Sequence, residues 1–307
     1  MFRPLKNAFT VLVMLVSICT AQPLANADTL TATGHKLTPA THTGFFDLTW
    51  DEASGKLFLH VPVTGMPFIY QSSLARGIGS NDLGADRGRL GATRLVEFFR
   101  SGSRLLLIEN NTAYRANSPN ADERQAIRES FARSVLWGFT IEHIEDDVLI
   151  VDATDFFLRD ALMMSQWLAD QQQGNFSVDN SRSAIFLPRT RAFADNTEIE
   201  AILTLTGTPK GDILRTVVPD PSAITIHTHH SFVRLPDEHY EPLDYDPRSG
   251  FLDPAYGGSF ADYAVPVNEP VARAYVRRHR LKKLDPQASV SAVVEPIVYY
   301  LDRGVPE

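Results

Sequence analysis

The sequence predicts an α+β fold, strand-dominated, in which about two helices pack on a sheet or sandwich. Three observations lead there. Short runs of alternating apolar and polar residues recur between turn-forming clusters, two segments carry helical spacing, and the last apolar run is β-branched and aromatic.

Phe46 to Trp50 alternates apolar and polar residues, Asp51 to Gly55 supplies turn residues, and Lys56 to Val61 resumes as a second strand, so the pair reads as a hairpin. Strands follow over Phe68 to Leu74, Thr93 to Arg100, Arg104 to Asn110, Phe139 to Glu145 and Val148 to Asp152, joined by turns at Ser101-Gly102-Ser103 and Glu145-Asp146-Asp147. A first helix starts at Asn120, with Glu123 completing a capping-box-like pattern, and Ile127 and Phe131 mark its apolar face up to about Ser134. A second starts after Thr154 as N-cap. Phe157, Ala161, Met164 and Leu168 repeat at helical spacing, Leu158 and Leu162 widen the stripe, and Gly174 suits the C′ position; such a stripe reads as core. Asn196 to Thr206 and Ala223 to Val233 alternate as half-buried strands. From Pro236 to Pro270 the chain is dense in Pro, Asp, Tyr and Gly, as in a functional loop or a wrapping segment. Val293 to Leu301 reads as a buried strand, Asp302-Arg303-Gly304 as a turn, and Val305-Pro306-Glu307 as the entrance to a helix. This ending suggests a chain stopped at the start of a further domain.

With 307 residues, 44% of them apolar, the chain can bury a sizeable core in one large domain or two small ones. Its single Cys excludes an intramolecular disulfide, a cysteine zinc site and an iron–sulfur cluster. A formal charge of −8 gives no support for nucleic-acid binding. Met1 to Ala27 has the three parts of a secretory signal: cationic Arg3 and Lys6, an apolar run from Ala8 to Cys19, and Ala25-Asn26-Ala27 as a cleavage pattern. The apolar run is too short for a stable membrane span, and bulky Ile18 before Cys19 disfavours lipid attachment. Cleavage after Ala27 would remove two cations and no acid, taking the charge from −8 to −10 and leaving a cysteine-free secreted or periplasmic product. The expected organisation is then a signal peptide over 1–27, a tether over 28–43, a non-catalytic domain over 44–290 and the start of a truncated domain over 291–307.

The search for chemistry returns mostly negatives. No His-Glu-x-x-His or Gly-x-Ser-x-Gly stands in the chain. Gly77 to Gly88 resembles a phosphate loop at first sight, but Asp82 holds the position of the third dinucleotide-loop glycine and no Gly-Lys-Ser/Thr follows. A glycine-rich connection lying close to other backbone is the better reading. His227-Thr228-His229-His230 is the histidine cluster: His227 and His229 share a strand face and could share a metal, with Asp237, Glu238 and His239 as formal third ligands, or else serve packing and hydrogen bonding. The pairs Asp244/Asp246 and Asp146/Asp147 sit in turn contexts. The cationic run Arg277 to Lys283 reads as a solvated strand face or an interdomain ion-pair surface.

Many ordered segments, among them GFFDLTWDEASGKLFL, SLARGIGSNDLGADRGRLGATRLVEF, FARSVLWGF, DATDFFLRDA, FLPRTRAF, HHSFVRLPDE, RHRLKKLDP and VEPIVYYLDRGVPE, resemble the N-terminal half of large secreted bacterial zinc-dependent metallopeptidase-like proteins. In these zincin relatives a domain of unknown function precedes the catalytic one. The resemblance runs from about Gly44 to Glu307. It implies that the segment like Pro296 to Glu307 leads into the peptidase domain, that zinc is held further on, and that the chain's partner is its own C-terminal peptidase domain, with a peptide or protein substrate as a further candidate. No catalytic, cofactor-binding or metal-ligating residue carries over, and His229 and His230 match paired histidines of no assigned role. The leading expectation is therefore a non-catalytic region that packs on or gates that domain. Two alternatives stand beside it. One is an autonomous peptide- or glycan-binding module using Tyr240, Tyr245, Tyr256 and Tyr263, and the other is a small metal-dependent hydrolase using the histidine cluster.

Overall fold

The computed structural model describes residues 42–79, 81–237, 239–251, 258–301 and 305. The expected signal peptide, nearly all of the tether, Tyr256 and Glu238 lie outside them.

The first half of the chain is built from antiparallel neighbours. β1 (Asp47–Asp51) and β2 (Lys56–Val61) form the expected hairpin, followed by β3 (Pro67–Arg76), β4 (Leu90–Ser101), β5 (Arg104–Glu109) and the short β6 (Tyr114–Arg115). Helix α1 (Ala121–Ser130) precedes β7 (Ser134–Glu145) and β8 (Val148–Asp152). Then come α2 (Thr154–Phe157), α3 (Met164–Asp170), β9 (Gly174–Val178), β10 (Ala184–Ile185), β11 (Arg191–Ala192), β12 (Asn196–Pro209), α4 (Asp212–Val217) and β13 (Ala223–Arg234). β14 (Ser259–Asp262) and β15 (Ala272–Ala274) close the order.

Twelve strands make one sheet in the order β1-β2-β8-β7-β5-β4-β3-β13-β12-β10, with β9 and β11 also on β12. Laid flat at ~4.8 Å per strand this sheet would keep its ends tens of ångströms apart. Instead it rolls. Phe46, at the entrance to β1, lies 5.1 Å from the ring of Phe68 on β3, 5.5 Å from Phe98 on β4 and 5.8 Å from Phe232 on β13. The seam is closed by Thr197 of β12, whose hydroxyl accepts from Phe46 N and donates to Phe46 O, both at 2.9 Å, and by Phe45 N donating to Phe193 O.

Inside the roll the inward residues of β3, β12 and β13 follow the strand period of two. Phe68 and Tyr70 on β3, Ile199 and Ala201 on β12 and Phe232 on β13 belong to one apolar cluster. Leu74, Leu203, Leu205, Ile224 and Ile226, further along the same faces, belong to a second. Between the clusters the inner face turns polar, with Ser72, Thr228 and His230 all buried.

Four helices occur among the described residues, and none forms a layer, so the architecture is mostly β with helices as attachments. α1 begins as expected, with Asn120 Oδ1 accepting from Asp122 N at 3.0 Å. It ends at Ser130 rather than near Ser134, which already opens β7, and it buries no residue.

The expected second helix is two. α2 and α3 are separated by Leu158–Met163, and Met163 takes a left-handed φ of 53°. Ala153, not Thr154, is the N-cap; the Thr154 hydroxyl instead accepts from Leu57 N. Gly174 is not the C′ residue. It opens β9, and Gln172, at φ 57°, supplies the left-handed turn after α3. The stripe is core, as expected, but divided: Phe157 and Leu158 join the first cluster, and Leu162, Met164 and Leu168 the second.

One more expectation fails for want of a partner strand, and half of another. Val293–Leu301 is not a buried strand. Val293 makes one bridge to Lys283, and beyond it the side chains stand in solvent, with Tyr299 80% and Tyr300 92% exposed. The Arg277–Lys283 run is irregular rather than a strand face: Arg280 pairs with Asp237 at 2.6 Å and Arg278 donates to Glu241 O. Within the expected loop or wrapping segment, the described residues 258–270 supply β14, which pairs with β6 and β15 in a separate three-stranded sheet.

Candidate functional site

β12 and β13 pair antiparallel, and on their outer face the acids of one strand meet the histidines of the other diagonally. His229 stands opposite Glu200 in register yet bonds Glu198, with Nε2 to Oε2 at 2.6 Å. His227 stands opposite Ile202 and bonds Glu200, with Nδ1 to Oε1 at 2.7 Å. Both contacts use the diagonal reach of long side chains across an antiparallel pair. The sharing of a face by His227 and His229 is as the spacing requires. Their acidic partners could not be assigned without the register.

Glu198 is fully engaged. Besides His229 it accepts from Ser231 Oγ and from Asn196 Nδ2. Burial pushes its carboxyl up, but the hydrogen bonds from His229, Asn196 and Ser231 together outweigh it and hold it below the ordinary range. Glu200 is almost completely buried, with the guanidiniums of Arg76 and Arg189 each 4.0 Å from its carboxylate. Phe186 covers His227 edge-on at 5.1 Å. A groove of about 500 Å³ opens over this face, lined by Glu198, Glu200, His229, Arg87, Arg189 and Arg191 among others.

What this arrangement can do follows from its hydrogen bonds. Ser231, Glu198 and His229 are the residue types of a hydrolase triad, but in the wrong order: the serine donates to the carboxylate, and the imidazole also binds the carboxylate, so no base faces the hydroxyl. As for a metal, no group of three or more His, Cys, Asp or Glu side chains converges among the described residues. Of the formal third ligands, Asp237 is held by Arg280 and by His239 N. These outer-face hydrogen bonds tie β12 to β13.

His230 points the other way. Its Nδ1 meets Tyr70 Oη at 2.9 Å and its Nε2 meets the Thr228 hydroxyl at 3.3 Å, while Arg159 donates to the same Tyr70 oxygen at 3.2 Å. Complete burial, helped by the charges of Arg159 and His229, drives its pKa down to about 3, so the ring is neutral. This group forms the polar waist between the two apolar clusters.

The other candidates separate. The glycine-rich connection lies close to other backbone at Gly77: Ile78 N donates to Ala85 O, and a Cβ on Gly77 would stand 2.1 Å from that oxygen. Tyr240 lies under Arg278, and Tyr263 packs on Phe131. Asp246 pairs with Arg248, and Asp146 and Asp147 form the left-handed turn between β7 and β8. No helix among the described residues is long and apolar enough to cross a membrane.

No curated protein and no solved structure matches the chain. A family model does. It covers residues 88–284, from the end of the glycine-rich connection through β13 and the cationic run, while β1, β2 and β3 precede it yet share its sheet. With well over half of its length matched, the chain belongs to the family described as Domain of unknown function (DUF5117).

Proposed function

We propose that this chain is an exported, non-catalytic region that precedes the catalytic domain of a zinc metallopeptidase-like protein and packs on or gates that domain. The observation that carries the reading is the segment 294–301. Val294, Ile297, Val298, Tyr299, Tyr300 and Leu301 are all exposed, an apolar surface of the kind that marks a docking site. Its β-branched and aromatic composition suits a strand awaiting a neighbour. The sequence resemblance supplies the identity of that neighbour, and zinc would be held there rather than by this chain. The export signal ending at Ala27 would place the assembly outside the cytoplasm.

The test is the reading frame beyond the codon for Glu307, followed by hydrogen exchange on the longest polypeptide it encodes. The expected result is a downstream His-Glu-x-x-His and amides over 294–301 that exchange at least about tenfold more slowly than in the chain ended at Glu307. A stop codon directly after Glu307, or equal exchange in both proteins, would sink the proposal.

A further inference from the structure

A second concave surface lies where α1 overhangs the sheet. The helix is held there by its C-cap residue Phe131, stacked on Tyr114 at 3.9 Å, and by Arg124, which donates to Ser118 O at 2.6 Å. The cleft beneath has a volume of about 460 Å³, within the range of sites that accept a ligand side chain or two. Leu95, Ile127, Tyr114 and Phe131 supply its apolar part.

Its polar part is cationic. Arg115, Arg124, Arg128 and Arg133 line it, with Glu97 the one acid in the lining. Arg133 is neutralised by Glu97 at 2.7 Å. Among the described residues the other three guanidiniums meet no carboxylate: Arg115 donates to Thr112 O and lies over the Phe260 ring at 4.3 Å, Arg124 donates to Ser118 O and Arg128 to Gln125 Oε1. The groove over β12 and β13 differs, because Glu198 and Glu200 share its lining and Arg189 stands 4.0 Å from Glu200. Three guanidiniums without a carboxylate, in one cleft of a chain whose formal charge is −8, form a local positive field suited to bidentate carboxylates. The backbone adds a further requirement. β6 is an edge strand of the three-stranded sheet, paired on one side only, and both of its residues line the cleft. An open strand edge accepts extended main chain.

We propose that this cleft binds an extended acidic peptide segment, which adds along β6, seats an apolar or aromatic side chain beside Tyr114 and Phe131, and pairs its carboxylates with Arg115, Arg124 and Arg128. A free inorganic anion would use the guanidiniums but leave the apolar floor and the strand edge unfilled. The inference stands independently of the docking role of 294–301.

Fluorescence anisotropy of the full chain with a labelled peptide of alternating Glu and Phe tests it, with a Lys-for-Glu peptide as counterpart. The acidic peptide should bind with an affinity that falls as salt rises, and the Arg124→Gln/Arg128→Gln double variant should weaken it at least about tenfold. Arg189→Gln, in the other groove, should leave it unchanged. Because Arg124 also ties α1 to Ser118 O, Arg128→Gln alone is measured beside the double variant, and Arg115→Gln on β6 gives the same reading without touching the helix; both single variants should weaken binding. Equal binding of the Lys peptide, no loss in the arginine variants, no peptide binding at all, or binding of phenylacetate alone would each overturn the proposal.

Discussion

His230 contributes to acid sensitivity. Its folded-state pKa of about 3 lies below the 6.5 of a free imidazole, so below about pH 6.5 the unfolded chain takes up a proton that the folded chain refuses. The stability linked to this neutral ring is complete above pH 6.5 and is lost as pH falls toward 3, at roughly 1.4 kcal/mol per pH unit. Urea unfolding at about pH 7.5 and about pH 5 should show that loss in the native chain and a flatter dependence in His230→Gln. Equal slopes would remove His230 as the source. At the same scale, Gly77→Ala forces a Cβ against Ala85 O and must break the Ile78–Ala85 hydrogen bond. It should cost about 1–3 kcal/mol in the same assay.

Among the elements, the divided helix has the clearest cause. Asp160 accepts from Met164 N at 2.7 Å and Ser165 N at 2.8 Å, so its carboxylate caps α3 and ends any continuous run from α2. The break lets each half serve a different core. Asp160→Ala should destabilise the chain by about 1 kcal/mol. Met163→Gly, at an exposed left-handed position, should be neutral or stabilising by up to about 1 kcal/mol, read from the urea midpoint. The stripe Phe157, Ala161, Met164, Leu168 gave no sign of the break, because spacings of four, three and four satisfy one helix as well as two. Asp160 was the available signal, an acid four residues before Met164 whose carboxylate can reach the first amides of a new helix. By contrast Lys56–Val61 and Val148–Asp152 were legible to the residue, since alternation and flanking turns are local properties. Val293–Leu301 misled for the complementary reason: strand propensity is local, but a strand exists only where a partner does.

At the scale of the whole molecule, the candidate site was half legible. Period two placed His227 and His229 on one face, yet their partners Glu198 and Glu200 depend on the register between strands about thirty residues apart in sequence, which no local pattern encodes. The cleft under α1 was not legible at all, because its arginines come from a two-residue strand and a surface helix that only the fold brings together. The seam of the rolled sheet depends on the same kind of distant meeting. Thr197→Val would leave Phe46 N and O without their partner and should cost about 1–3 kcal/mol, measurable as a lower urea midpoint. Phe46 and Thr197 are 151 residues apart in the chain. During synthesis, therefore, the first strand must wait for most of the protein to be made before its seam can close, exposing Phe45 and Phe46 meanwhile to whatever else is nearby. Closure of that seam is thus a long-range event, whose loop-closure cost falls due before the contact can repay it.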